Sequence, residues 1–461
     1  MRRDPGIPAD LRRALRPPTR VVLACVLALG GMLVTSAPAH AEDPEVTIDG
    51  ITYVLDARGP DASATVSAYD PEDSPTTDIV ILDEVEIDGS SRPVHGVAQE
   101  VFKDSGLTSV TFDGPISTIG KDAFSYNRWL KRVYFSGAVG TIDDWAFSST
   151  GLTEMTFPDV VDTIGEGAFQ GSHLTEVTFP GTVRSIGAEA FTMGRVAEVT
   201  FTGAVGDIGS NAFGRSRLTE VTFPDSVGDI GSGAFSENEL SGVTFAGTVG
   251  DIGSGAFSEN ELTEVTFDGS VGNLGRATFW SNELTEVTFP DSVGDIDDSA
   301  FTSNDLTEVT FGDTAGDIGP SAFNTDRLRD VVFQGAPPTD VVPAGEDGSF
   351  GPVQAPTVWY PCAFDEALHE GGFTAPIWAG YGSEVTGAPF TVSFDLGGLG
   401  EPIDDRTVEC AGSFGEPAPP SEQGWEFTGW YADEQLTEEY DFDDPVTEDI
   451  TLYAGWEPVT P

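Results

Sequence analysis

Lysine is nearly missing from this chain: Lys103, Lys121 and Lys131 are the only three in 461 residues. Histidine (four), methionine (four) and cysteine (three) are almost as scarce. The shortage of bases sets the charge, because 21 Lys and Arg stand against 77 Asp and Glu, a net of −56. A surface of that sign repels phosphate backbones, so nucleic acid is excluded as a partner. Long apolar runs are missing too. The longest, Val21 to Val34, is 14 residues, short of the ~20 that span a bilayer. It follows Arg2, Arg3, Arg12, Arg13, Arg16 and Arg20 and precedes Ala39-His40-Ala41. That is the layout of a secretory signal peptide over 1–41, cleaved after Ala41. The expected location is therefore secreted or cell-envelope, with no membrane-spanning segment in the mature chain. The leader takes 6 of the basic and 2 of the acidic residues, leaving 15 and 75, a net of −60.

Processing leaves two cysteines, Cys362 and Cys410. In an oxidising compartment they either form one disulfide between neighbouring modules or stay as two thiols, and their spacing fits no metal or redox motif. Catalytic motifs are absent as well. There is no G-x-S-x-G, P-loop, H-E-x-x-H or C-x-x-C, and His95, His173 and His369 are far apart without a paired nucleophile. Acidic pairs such as Asp143-Asp144 and Asp297-Asp298 arise unselected in so acidic a chain. Neither an enzyme nor a resident cofactor is expected.

What the chain does have is a repeat. One phenylalanine recurs at 102, 124, 147, 169, 191, 213, 235, 257, 279, 301 and 323, and a second at 112, 135, 157, 179, 201, 223, 245, 267, 289, 311 and 333. Every step is 22 residues except one of 23 in each series. The unit is clearest from Leu218 to Glu239, L-T-E-V-T-F-P-D-S-V-G-D-I-G-S-G-A-F-S-E-N-E. V-T-F alternates as a short strand does, P-D-S turns the chain, and Val, Ile, Ala and Phe return to the same interior. One coil cannot bury that face alone, so eleven must stack as a solenoid, roughly 50 Å long at the ~4.8 Å spacing of paired strands.

The motif L-x-x-V-x-F followed by V-x-x-I-G-x-x-A-F resembles the BspA-like leucine-rich repeats of bacterial surface proteins. The resemblance covers 94–335, beginning with a degenerate half-unit at Val94-His95-Gly96-Val97 and Val101-Phe102. Residues 42–93, with Ile51-Thr52-Tyr53-Val54-Leu55 and Asp78-Ile79-Val80-Ile81, resemble a β-rich amino-terminal cap. Residues 336–388, with Val358-Trp359-Tyr360-Pro361, resemble a closing cap and linker. From 389 to 457 the aromatic pattern Phe390-Thr391-Val392-Ser393-Phe394, Phe427-Thr428-Gly429-Trp430-Tyr431 and Leu452-Tyr453-Ala454-Gly455-Trp456 is similar to the Listeria–Bacteroides (internalin B-type) repeat, leaving 458–461 as a tail. The resemblances imply a mainly β fold, a capped solenoid and then a small β-grasp-like module. They imply an adhesin-like function, with an extracellular protein or glycan as partner. The alternatives are a non-adhesive structural or Ca-binding envelope protein and a carbohydrate-binding module.

Breaks in the repeat mark candidate sites, since the framework does not require them. The second unit breaks most sharply. Arg128, Trp129, Lys131, Arg132 and Tyr134 replace its polar-acidic run and Trp145 joins from the same coil, an interface-like composition whose bland alternative is packing under the cap. Asp207, Asp229, Asp251, Asp295 and Asp317 share one slot, interrupted by Asn273, and a glutamate column runs through Glu154, Glu176, Glu198, Glu220, Glu264, Glu286 and Glu308. The aspartates are read either as a solvated acidic face or as a strip for Ca²⁺, although no calcium-loop motif accompanies them. Asn127, Asn238, Asn260, Asn282 and Asn304, three residues past the phenylalanine, are expected to satisfy backbone groups in the turn.

Overall fold

The computed structural model describes residues 43–56, 62–74, 76–338, 340–351, 356–368, 371–375, 377–387 and 389–459. The expected signal peptide lies outside them, as does His369. Among the described residues no helix is long and apolar enough to cross a membrane.

Each coil is two short strands and a turn. The first strand is the E-V-T-F segment: Glu220–Phe223 pairs in parallel with Gly242–Phe245, and that with Glu264–Phe267, each shifted by one repeat. Alternation puts Val221 and Phe223 inside and leaves Glu220 and Thr222 outside. The turn phenylalanines form an inner ladder. Phe213, Phe235, Phe257 and Phe279 stack at 5.2, 5.1 and 5.3 Å between centroids. The strand phenylalanines form a second ladder and meet the first edge-on, as at Phe245 and Phe257, 6.1 Å apart and 88° between planes. Stacking along the axis and T-shaped contact across it are the two favoured aromatic geometries, and one residue type at a fixed period supplies both.

The buried asparagines close the turn. Asn260 Nδ2 donates to the Phe235, Phe257 and Ser258 carbonyls, while its Oδ1 accepts the Leu240 N–H at 3.1 Å. Asn127, Asn238, Asn282 and Asn304 likewise donate to the phenylalanine carbonyls of their own and the preceding coil. Without them these buried carbonyls would be left unpaired, at about 1–3 kcal/mol each.

The second strand changes character along the stack. Where the residue before its closing isoleucine is Thr118, Thr141, Thr163 or Ser185, regular parallel ladders form, as between Val139–Ile142 and Val160–Ile164. From Asp207 onward the slot holds Asp, or Asn at 273, and beyond Val205–Ile208 the second strands of adjacent coils meet only at isolated bridges between apolar residues, such as Val227 with Val249 and Ile230 with Ile252. The carboxylates explain the change. Asp229 Oδ1 accepts the Asp251 N–H at 2.9 Å, and Asp251 Oδ1 the Asn273 N–H at 2.8 Å, so a side chain takes a donor the ladder would use. The preceding glycine makes room, for a Cβ at Gly250 would collide with the Asp229 carboxylate.

Stacking runs past both ends of the sequence repeat, to about 13 turns rather than eleven. Asp78–Ile81 pairs in parallel with Ser109–Phe112, Asp330–Phe333 with Thr357–Tyr360, and the last with Tyr381–Val385. Phe350 extends the inner ladder 5.7 Å beyond Phe323. The capping segments thus keep the coil geometry after losing the motif.

The carboxy-terminal module is a four-stranded sheet ordered Arg406–Val408, Phe390–Asp395, Ile450–Pro458, Trp425–Tyr431. Its central pair is parallel and its outer pairs antiparallel, around Phe390, Val392, Trp430 and Leu452. A Cys362–Cys410 disulfide, with Cα atoms 5.6 Å apart, ties it to the last coils. Leu368 and Val385 from the solenoid end pack against its core.

Candidate partner-binding surface

The second unit is the one whose phenylalanine spacing is 23 residues. Its extra residue falls between Asn127 and Leu130, which remain buried at 1% and 0% exposure. With both anchors fixed, the loop between them bulges outward. The Arg128 N–H bonds the Tyr126 carbonyl and the Leu130 N–H bonds the Asn127 carbonyl, and Arg128 and Trp129 project. Trp129 is 61% exposed and Tyr126 56%, an unusual expenditure of apolar surface on a solenoid whose repeat phenylalanines, Phe135 apart, are buried.

The neighbouring residues continue onto the strand face. Lys131 Nζ donates to the Gly151 carbonyl at 3.1 Å. Arg132 is exposed in register between Ser109 and Glu154. Hydrogen bonds from Thr108 and Ser109, helped by the Arg132 charge, hold the Asp78 carboxyl below its usual value. Tyr134 is half-buried between Thr111 and Thr156 on the same face. The strand ladder is disturbed here. Phe112 and Phe135 stack at 4.9 Å, Phe157 and Phe179 meet tilted at 4.7 Å and stacking resumes at Phe179 and Phe201, with no ring contact between Phe135 and Phe157 among the described residues.

Trp145 does not join this group through any ring contact among the described residues. It sits at φ 52° in the turn leading to Phe147, with the Lys121 ammonium 4.4 Å from its ring centroid. Its π face is engaged within the chain. The structure thus brings Arg128, Trp129, Lys131 and Arg132 onto one turn and strand, with Tyr134 on the adjoining sheet face, while the Trp145 ring is engaged by Lys121. Tyr126 belongs with the first set. Its position two past Phe124, where other units hold Asp, Ser, Gly, Met, Arg, Glu or Thr, marks an outward slot on alignment.

The aspartate column faces solvent, and Asp207, Asp229, Asp251 and Asp295 are each committed through one oxygen to the next coil. Asp207 accepts the Asp229 N–H at 3.1 Å and Asp295 the Asp317 N–H at 2.9 Å, while Asn273 serves Asp295 equally at 2.8 Å. Among the described residues no three His, Cys, Asp or Glu side chains gather as a metal-binding set. The glutamate column is likewise exposed, with Glu176 beside Glu198 and Glu286 beside Glu308.

The family model "BspA type Leucine rich repeat region (6 copies)" matches residues 95–219 and 206–329. The model of the Listeria-Bacteroides repeat domain matches 390–455. A protein of Evansella cellulosilytica named "Putative membrane protein" is 48% identical over 69 residues, 15% of this chain and 10% of that protein. A second from the same organism, "Putative Gly-rich membrane protein", matches at the same identity over 8% of its length. The chain therefore spans about a tenth of the curated relatives it matches. Among solved structures, a leucine rich cell surface protein of Faecalibacterium prausnitzii is 19% identical, covering 76% of this chain and 97% of that one, with a TM-score of 0.37. A leucine-rich repeat protein of Bacteroides ovatus is 18% identical, with coverages of 62% and 94% and a TM-score of 0.30.

Proposed function

This chain belongs to the BspA type leucine-rich repeat proteins, and from that premise we propose that it is a secreted or envelope-associated, adhesin-like recognition protein. Its partner is an extracellular protein or glycan. The carrying observation is the extruded segment of the second unit, where Trp129 and Tyr126 stand in solvent beside Arg128. A projecting indole and guanidinium supply the contacts that dominate binding energy in interfaces, and they lose little internal packing by being there. The regular coils supply rigidity, so a partner meets a preformed surface without an ordering cost. The carboxy-terminal module, tied by its disulfide and packing, serves as a presenter.

The test is a binding screen of the purified chain against extracellular-matrix proteins and a glycan array, with and without calcium. Saturable binding that weakens in the Arg128→Ala, Trp129→Ala double variant supports the proposal. Absence of binding to every surface would overturn the adhesin reading in favour of a structural envelope role.

A further inference from the structure

Four residues past the repeat phenylalanine lies a column that includes Gly151, His173, Arg195, Arg217, Glu239, Glu261, Glu283 and Asp305, flanked by Arg128 at one end and Arg327 at the other. Gly151 offers no side chain, but Lys131 fills its place: a Cβ built there would lie 2.8 Å from the Lys131 ammonium. The column therefore presents four basic groups and then four acidic ones. The coils stack in register here, since the N–H groups of Arg217, Glu239, Glu261, Glu283 and Asp305 bond the carbonyls of Val196, Leu218, Leu240, Leu262 and Leu284. Burial first, then repulsion from Arg195 and Lys131, lowers the His173 pKa, consistent with three adjacent basic groups. Of these eight groups only Asp305 has an ion pair among the described residues, with Arg327 at 3.0 Å.

Between the flanking arginines, three cations and the His173 imidazole, followed by four carboxylates at constant spacing, are self-complementary about a two-fold axis through the midpoint. We propose that a second copy of this chain docks antiparallel along this column, with the axis between Arg217 and Glu239. Arg217 of either copy then faces Glu239 of the other, Arg195 faces Glu261, His173 faces Glu283 and Lys131 faces Asp305. Both copies share a coil spacing of ~4.8 Å, so one pair in register aligns the rest. A polyanion would meet the basic half and be repelled by the acidic half and by Glu176, Glu198 and Glu220 beside it. A polycation would meet the reverse. A ligand with the opposite block order at the coil spacing suits both halves, and this chain carries that ligand itself.

The net charge of −56 opposes pairing at long range. At about 0.1–0.15 M salt the Debye length is about 8–10 Å, which screens the remote charges and spares the contacts; at about 1 M it is about 3 Å and the contacts are screened too. The association is therefore weak and best observed near physiological ionic strength.

Sedimentation velocity of the full chain tests this independently of any other partner. The expected result is concentration-dependent dimerisation near physiological salt that is lost at high salt. The Arg195→Glu, Arg217→Glu variant and the Glu239→Arg, Glu261→Arg variant should each remain monomeric, because like charges then face each other. Mixed one to one, they should form a heterodimer, since each reversed block now meets its complement. A wild-type chain that stays monomeric throughout, or dimerisation that survives in both variants alone, would overturn the proposal.

Discussion

Asn273 stands in a slot otherwise held by Asp207, Asp229, Asp251, Asp295 and Asp317, and accepts the same hydrogen bond from the next coil. The slot thus requires a short side-chain oxygen rather than a charge. Stacked carboxylates about 5 Å apart repel by roughly 0.8 kcal/mol in bulk water, less with salt, which solvent exposure makes tolerable. Asp251→Asn should therefore leave stability within about 0.5 kcal/mol of wild type. Asp251→Ala, which loses the acceptor for the Asn273 N–H, should cost about 1 kcal/mol. Thermal unfolding with and without calcium checks this. A calcium-dependent rise in Tm that vanishes in Asp251→Asn would restore the cation-strip reading. The periodicity made the slot legible. Its hydrogen bond was not, because an oxygen aimed at a backbone N–H and one aimed at a cation leave the same letter in the sequence.

Among the elements, the E-V-T-F strands could be read directly from their alternation, and the asparagine turns from their fixed offset. Two features could not. Residues 78–81, 357–360 and 381–385 stack as further coils although their motif has lapsed, since a coil is defined by backbone pairing that many apolar residues satisfy. The Cys362–Cys410 link was one of two options until the fold brought the Cα atoms to 5.6 Å. A bridge closing 48 residues of chain contributes about 2–4 kcal/mol, mostly by restricting the unfolded state. Cys362→Ser should therefore speed amide hydrogen exchange in strands 390–395, 425–431 and 450–458 and leave the central coils near Phe257 unchanged. Faster exchange throughout the solenoid would show instead that the module supports the whole stack.

At the scale of the molecule, a solenoid separates framework from display. The phenylalanine ladders, asparagine turns and aspartate hydrogen bonds repeat coil after coil and leave the outward slots free to vary. The 23-residue unit was visible in the sequence as the strongest departure, and the two anchors that keep Asn127 and Leu130 inside explain why its extra residue is forced out. Trp145 was grouped with it because it shares the coil, but residues of one coil can face different sides, and a Lys121 contact holds its ring elsewhere. The most direct measurement is the affinity of Trp129→Ala and Trp280→Ala variants for a partner found by the screen. Trp280 is also exposed, at 38%, but sits in a coil of regular length. Trp129→Ala should weaken binding about tenfold or more, equivalent to about 1.4 kcal/mol, and Trp280→Ala should leave it unchanged. Equal affinities, or a loss confined to Trp280→Ala, would contradict the assignment of recognition to the extruded segment.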